Sequence, residues 1–275
     1  MAMFRDSYNG SNKKIFWQEM WRDEFEDALE RDPVVIVPVG SIEQHGPHCP
    51  MDVDIVGPFY MAVEAAKRTE AFPVIVAPPV WSGFTHYNKG FAGTISLRIE
   101  TFLNLLQDVC LSIHENGFKR MILVNGHGGN DAPVRVVRDT LAEHNCFVVG
   151  FSWWKMVEPE MLEWGDADEG AVGHGGEWET SVQLHLREHL IQKDLMNDDV
   201  FLNPFSPEMK KFAGFSERRR DTRDVTGTMG SALSASAEKG GRVFELATTR
   251  LMQVAAEFHA QPVREYFELG SYCPK

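Results

Sequence analysis

Three short segments of this 275-residue chain concentrate side chains that can hold a cation or carry a proton. The first is Gly40-Ser41-Ile42-Glu43-Gln44-His45-Gly46-Pro47-His48-Cys49-Pro50-Met51-Asp52-Val53-Asp54, which sets carboxylates and imidazoles at Glu43, His45, His48, Asp52 and Asp54. Glu, His and Asp are the ligands that hydrolytic zinc, manganese and iron use. On an extended segment Glu43 and His45 project to the same side, because side chains alternate with period two. Any one of these residues alone reads as a solvated loop residue. The cluster, fixed by Gly and Pro, reads as a metal site.

The second segment is Asn125-Gly126-His127-Gly128-Gly129-Asn130, with Pro133 near the start of the next helix. Its glycines permit tight turns and close ligand approach, and His127 offers an imidazole. A competing reading makes this turn a phosphate cradle at a helix N-terminus. Neither GxGxxG nor GxxxxGK[ST] is present, and a histidine stands where a phosphate-binding turn favours bare backbone. The third segment is Gly173-His174-Gly175-Gly176-Glu177-Trp178-Glu179-Thr180-Ser181. His174 and Glu177 are three apart, so they share a face if a helix begins here. Taken singly, Glu177 or Glu179 also fits as an N-terminal helix charge.

These segments need elements to position them. Val34-Val35-Ile36-Val37, Val74-Ile75-Val76-Ala77, Met121-Ile122-Leu123-Val124 and Phe147-Val148-Val149-Gly150 are short apolar runs without alternation, the pattern of strands buried on both faces. Helical patterns lie between them near 57–69, 100–116 and 131–144, after one at Trp17–Arg31 that stops at Asp32-Pro33. The alternation predicts an α/β fold with a mostly parallel central sheet flanked by helices. Stretch 157–172 reads as an acidic loop and 202–237 as turn-rich chain; helices are expected from the third segment through about Leu190 and near 241–258. In open α/β sheets ligands bind beyond the carboxyl ends of the strands, which is where the first two segments fall.

The net charge of −13 repels phosphate backbones and acidic membranes, so neither nucleic acid nor membrane is expected as a partner. Arg218, Arg219, Arg220 and Arg223 are interleaved with Glu217, Asp221 and Asp224, which reads as a solvated loop or a subunit contact. Cys49, Cys110, Cys146 and Cys273 form no CxxC pair, favouring reduced thiols and a cytoplasmic protein. No stretch approaches the roughly 18 apolar residues of a membrane span.

Together SIEQHGPHCPMDVD, NGHGGN and GHGGEWETS resemble the creatininase family, the creatinine amidohydrolases, and the resemblance extends through PPVWSGFTHYNKGFAGTISL (78–97) and TGTMGSALSASAEKG (226–240). It implies a three-layer α/β/α fold, with one hydrolase domain over 1–275. Cleavage of a small amide C–N bond is implied, creatinine-like lactam or formamide, by water activated on one or two divalent ions, Zn, Mn or Fe. Carried over by position, Glu43, His45, Asp54, His127 and Glu177 match the metal ligands, with Asp54 as the bridge, and His174 matches the catalytic histidine. Trp153 and Trp154, after the fourth strand, fall where family members place pocket aromatics, and core packing is as good a reading for either alone; of the two, Trp154 is expected to bind substrate. His86 receives no role. The resemblance also implies a homo-oligomer, a hexamer. In creatininase itself a carboxylate stands two residues after the histidine matching His127, where this chain has Gly129. The reaction type therefore carries over more firmly than creatinine as substrate. A lactonase on the same site and a binding module without turnover are the alternatives.

Overall fold

The computed structural model describes residues 14–166, 173–199 and 226–263. Four strands, β1 (Val34–Val39), β2 (Val74–Val76), β3 (Arg120–Asn125) and β4 (Val148–Ser152), form a sheet in the order β2-β1-β3-β4, every pairing parallel. All residues of β1 and β3 are buried, as the unalternated apolar runs predict. β1 runs two residues beyond the expected Val37, through Pro38. The proline lacks an N–H, but its carbonyl still accepts from Val80 N–H at 2.9 Å, so the strand continues.

The helices are α1 (Arg22–Leu29), α2 (Val53–Arg68), α3 (Ile99–Glu115), α4 (Asp131–Leu141), α5 (Glu158–Trp164), α6 (Glu177–Arg187) and α7 (Ala237–Ala260). On one face of the sheet Val34, Ile36, Ile122 and Val124 pack with Phe59 of α2, Trp178 and Val182 of α6 and Val243, Phe244 and Leu251 of α7. On the other, Val35, Val37, Met121 and Leu123 meet Phe102 and Leu106 of α3, Val134 and Val137 of α4 and Ala28 of α1. Each fully buried aliphatic side chain contributes about 1.5–3 kcal/mol. The result is the expected three layers. A separate two-residue pair, β5 (Asp198–Asp199) and β6 (Gly230–Ser231), is antiparallel.

Three expectations are corrected. The stretch read as an acidic loop contains α5, where Glu158, Pro159 and Glu160 suit a first helical turn. The pattern at Trp17–Arg31 is a short turn at Trp17–Glu19 and then α1, because Met20 is extended and Trp21 N–H is capped by Glu24 at 2.7 Å. Asp54 lies in the first turn of α2, not in the loop. The arginine cluster from Arg218 to Arg223 and Cys273 lie outside the described residues. Cys49, Cys110 and Cys146 are free thiols. No helix among the described residues is long and apolar enough to cross a membrane.

Candidate metal centre

β1 and β3 are neighbours in register, Val39 opposite Asn125, so the segments that follow them open at the same edge. Asn125 folds the second segment back on itself. Its Nδ2 donates to the His127 carbonyl at 2.7 Å and to Ser152 Oγ at 2.8 Å, and its Oδ1 accepts from His127 N–H at 3.1 Å. Asp54 arrives from α2. Pro58 has no N–H to give the Asp54 carbonyl, and that carbonyl rests against Gly126, where a Cβ would stand 1.9 Å away. Only glycine permits this approach.

Glu43, His45, Asp54 and His127 are at most 2% exposed. His45 Nε2 lies 2.9 Å from Asp54 Oδ1, and His127 Nδ1 lies 3.1 Å from Asp54 Oδ2 and 3.2 Å from Glu43 Oε1. Asp54 thus presents one oxygen to each imidazole. His174 closes a third side, its Nδ1 3.3 Å from Glu43 Oε1 and its ring 4.1 Å from that of His45. These atoms form three overlapping groups of metal-ligand geometry: Glu43-His45-His174, Glu43-Asp54-His127 and His45-Asp54-Glu179.

The outer nitrogens of the imidazoles are held by the protein, which fixes what faces inward. His45 Nδ1 donates to the Glu43 carbonyl at 3.1 Å. His127 Nε2 lies 3.2 Å from the Phe84 carbonyl and 3.3 Å from Tyr87 Oη. His174 Nε2 bonds the Gln44 carbonyl. Thr85 Oγ1 donates to Glu43 Oε2. Tyr87 also answers the question raised by Gly129. A Cβ at 129 would lie 2.4 Å from Tyr87 Oη and from the Phe84 carbonyl, so no carboxylate can enter from that position.

The third carboxylate beside the cluster is Glu179, whereas Glu177, which the resemblance matches to a ligand, lies away from it. Glu179 Oε2 is 3.6 Å from His45 Nε2 and accepts Gly175 N–H at 2.7 Å. Glu177 opens α6 and turns the other way: it is fully buried and pairs with Lys239 and with Asp166 N–H at 3.1 Å. Residues two apart on a helix are separated by about 200°, so only one of the two can face the cluster. Their shared motif carried the signal; the helix start decided between them. Trp154, at the carboxyl end of β4, is half-buried and packs edge-on against the buried Trp153 with centroids 6.1 Å apart, on the α2–α7 core. His86 stacks on Phe84. His48 bonds Thr180 Oγ1 at 2.9 Å, behind the cluster.

The cluster demands positive charge. Burial pushes Asp54 upward, yet the imidazoles of His45 and His127 outweigh it and hold Asp54 near about 2. Burial would lower His45, but Asp54 and Glu179 raise it to about 10, and Glu43 and Asp54 raise His127 well above the ordinary imidazole range against the same burial. Burial raises Glu179 to about 7, with Asp54 and Glu43 adding to it against His45. Glu43 Oε1 and Asp54 Oδ2 are buried and face His127 Nδ1 without a well-formed hydrogen bond among the described residues. Buried charges are paired or coordinate metals, so a divalent cation fits this donor set.

A parallel α/β sheet with a buried carboxylate–imidazole cluster beyond its strand ends is the architecture of a metal-dependent hydrolase. The sequence profile described as Creatininase: Creatinine amidohydrolase matches residues 18–255. The chain is 30% identical to creatinine amidohydrolase of Pseudomonas putida over 262 residues, covering 86% of this chain and 94% of that one. It is 31% identical to the mycofactocin precursor peptide peptidase of Mycolicibacterium smegmatis over 218 residues, 77% of this chain and 80% of that one. A crystal structure of creatininase superposes with a TM-score of 0.78 at 26% identity, covering 91% of this chain and all of that one. Creatininase structures in a manganese form and a Zn–Zn form match at 28% identity, with TM-scores of 0.74 and 0.76, over 90% and 91% of this chain and all of theirs. The chain belongs to the creatininase family of amidohydrolases, hydrolases of carbon–nitrogen bonds.

Proposed function

We propose that this chain hydrolyses the C–N bond of a small cyclic or linear amide, with one or two divalent cations, Zn, Mn or Fe, held by Glu43, His45, Asp54, His127 and Glu179. The observation that carries the reading is the convergence of these side chains, with Glu43 Oε1 and Asp54 Oδ2 buried against imidazole nitrogens and engaged in no well-formed hydrogen bond among the described residues. A bound cation supplies acidified water and a polarised carbonyl oxygen. The chain's own groups do the rest. Asp54 spans two positions, Oδ1 towards His45 and Oδ2 towards His127. The Gln44 carbonyl engages His174 Nε2 and leaves Nδ1 towards the cluster, so Nδ1 is the atom that takes up a proton and passes it to the leaving nitrogen.

The substrate reading follows the same geometry. Tyr87 Oη and the Phe84 carbonyl crowd the position of Gly129, which supports a site that differs from creatininase there and favours an amide other than creatinine. Trp154 is proposed to touch a planar substrate. One hydrolase domain over 1–275, a cytoplasmic location and a homo-oligomer complete the proposal, supported by the extent of the resemblance and the free thiols.

The test is elemental analysis with hydrolysis assays on creatinine, cyclic imides, formamides and short peptides. Metal in the purified protein, activity lost to a chelator and regained with Zn, Mn or Fe, and cleavage of one amide are expected. Absence of turnover with every metal would make the chain a binding module; cleavage of lactones alone would make it a lactonase. His174→Ala is expected to keep its metal and to lose about 10²–10⁴-fold in kcat. An unchanged kcat removes His174 from proton transfer.

A further inference from the structure

The mechanism leaves one buried ion pair unused. Lys239, in the first turn of α7, reaches Glu177 Oε1, Asp166 Oδ2 at 2.6 Å and the Ser234 carbonyl at 2.9 Å. An ammonium has three donors, and all three are taken. Asp166 N–H donates to the same Glu177 oxygen at 3.1 Å. Three pieces of chain meet at one cation: the residues after α5, the start of α6 and the turn before α7.

The start of α6 is held from several sides: Thr180 Oγ1 donates to the Gly175 carbonyl at 3.0 Å, Ser236 N–H to Ser181 Oγ at 3.0 Å and Met229 N–H to the His174 carbonyl at 2.7 Å. The body of the helix is fixed by the buried Trp178, Val182 and Leu184. Its first turn has a glycine at the cap, Gly176, and no side-chain cap bond. Two carboxylates add the charged contacts of this turn: Glu177 to Lys239 on one side, and Glu179 to Gly175 N–H on the other. Those anchors pull in opposite directions around the helix axis, so the first fixes the rotation at which the second meets His45 and Asp54. His174, three residues before the helix, depends on the same turn.

We propose that Lys239 is a positioning residue: its pairing with Glu177 sets the first turn of α6 so that Glu179 completes the His45-Asp54 cation position, leaving the Glu43-Asp54-His127 position to the strand ends. This rests on the metal reading of the cluster. The two positions then differ in their support, and loss of the Lys239–Glu177 pair is felt at one of them.

The experiment is titration of Mn and Zn into metal-stripped full-length protein, followed calorimetrically and by elemental analysis, for the parent, Lys239→Met, Lys239→Arg, Glu177→Gln and Glu179→Gln. Lys239→Met and Glu177→Gln are expected to weaken one of two bound ions by about 10–100-fold, the usual effect of removing a group behind a ligand, with the other ion unchanged. Lys239→Arg is expected to restore most of it, and Glu179→Gln to lose the same ion. A merely structural role predicts a lower melting temperature with both affinities unchanged, and that result overturns the proposal. So does equal weakening of both ions. Should Lys239→Met fail to fold, the near-isosteric Glu177→Gln decides by the same criterion. Loss in Glu179→Gln with unchanged binding in Glu177→Gln overturns the clamp alone. Full binding in Glu179→Gln overturns the ligand assignment together with the clamp.

Discussion

The two halves of the cluster are built on different foundations. Glu43, His45, Asp54 and His127 hang from two adjacent, fully buried parallel strands and the helix start that leans on them. Glu179 and His174 come from the start of α6, whose place depends on α7 and on a lysine. A strand end leaves a residue few choices, because the ladder fixes the backbone and alternation fixes the side. A helix start has a rotation to be set, and one residue's difference in where the helix begins turns every carboxylate by about 100°.

Four substitutions test that contrast, from the largest expected effect to the smallest. Gly126→Ala places a methyl 1.9 Å from the Asp54 carbonyl where the end of β3 meets the first turn of α2, and should destabilise by more than about 3 kcal/mol in chemical denaturation. A loss under 1 kcal/mol would show that the strand-end half yields more than its burial suggests. Gly240→Ala aims a methyl at the Ser181 carbonyl at the α6–α7 contact, equally close. There two helices can separate, so about 1–3 kcal/mol is expected, together with weaker cation binding. If its stability loss equals that of Gly126→Ala, the two halves are equally rigid.

Thr85→Val removes the hydroxyl that holds Glu43 Oε2 and should weaken cation binding by about tenfold with little change in melting temperature. Unchanged affinity would mean that the strand-end ligands need no such support. Trp154→Ala should raise KM by about 2–10-fold at constant kcat, if the ring contributes an aromatic contact of about 0.5–1.5 kcal/mol to the substrate. A constant KM with lower stability would assign Trp154 to the core it packs on.

The strand-end half was legible because its signals are local. Unalternated β-branched runs at Val34 and Met121 mark buried strands, and their polar successors Glu43, His45 and His127 fall where such sheets bind ligands. Glu177 and Glu179 cannot be told apart in the sequence for the opposite reason. Both stand in one motif at a helix start, and spacing alone relates His174 to Glu177 as well as any geometry could. The acidic stretch from 157 hid α5 because charge reads as loop when the partner is out of sight; Glu160 is answered by Arg250, ninety residues on.

By itself, then, the amino-acid sequence determined the layers, the parallel order of strand and helix, and the family. Those follow from periodicity and from residue types close together in the chain. Only the tertiary structure decided that Asp54 enters from a helix against Gly126, that Tyr87 fills the space beside Gly129, and that Glu177 is the partner of Lys239 while Glu179 faces the cluster. Each of these depends on contacts between residues far apart in sequence, where the rotation of a helix and the closeness of two backbones are settled by packing and by the pairing of buried charge.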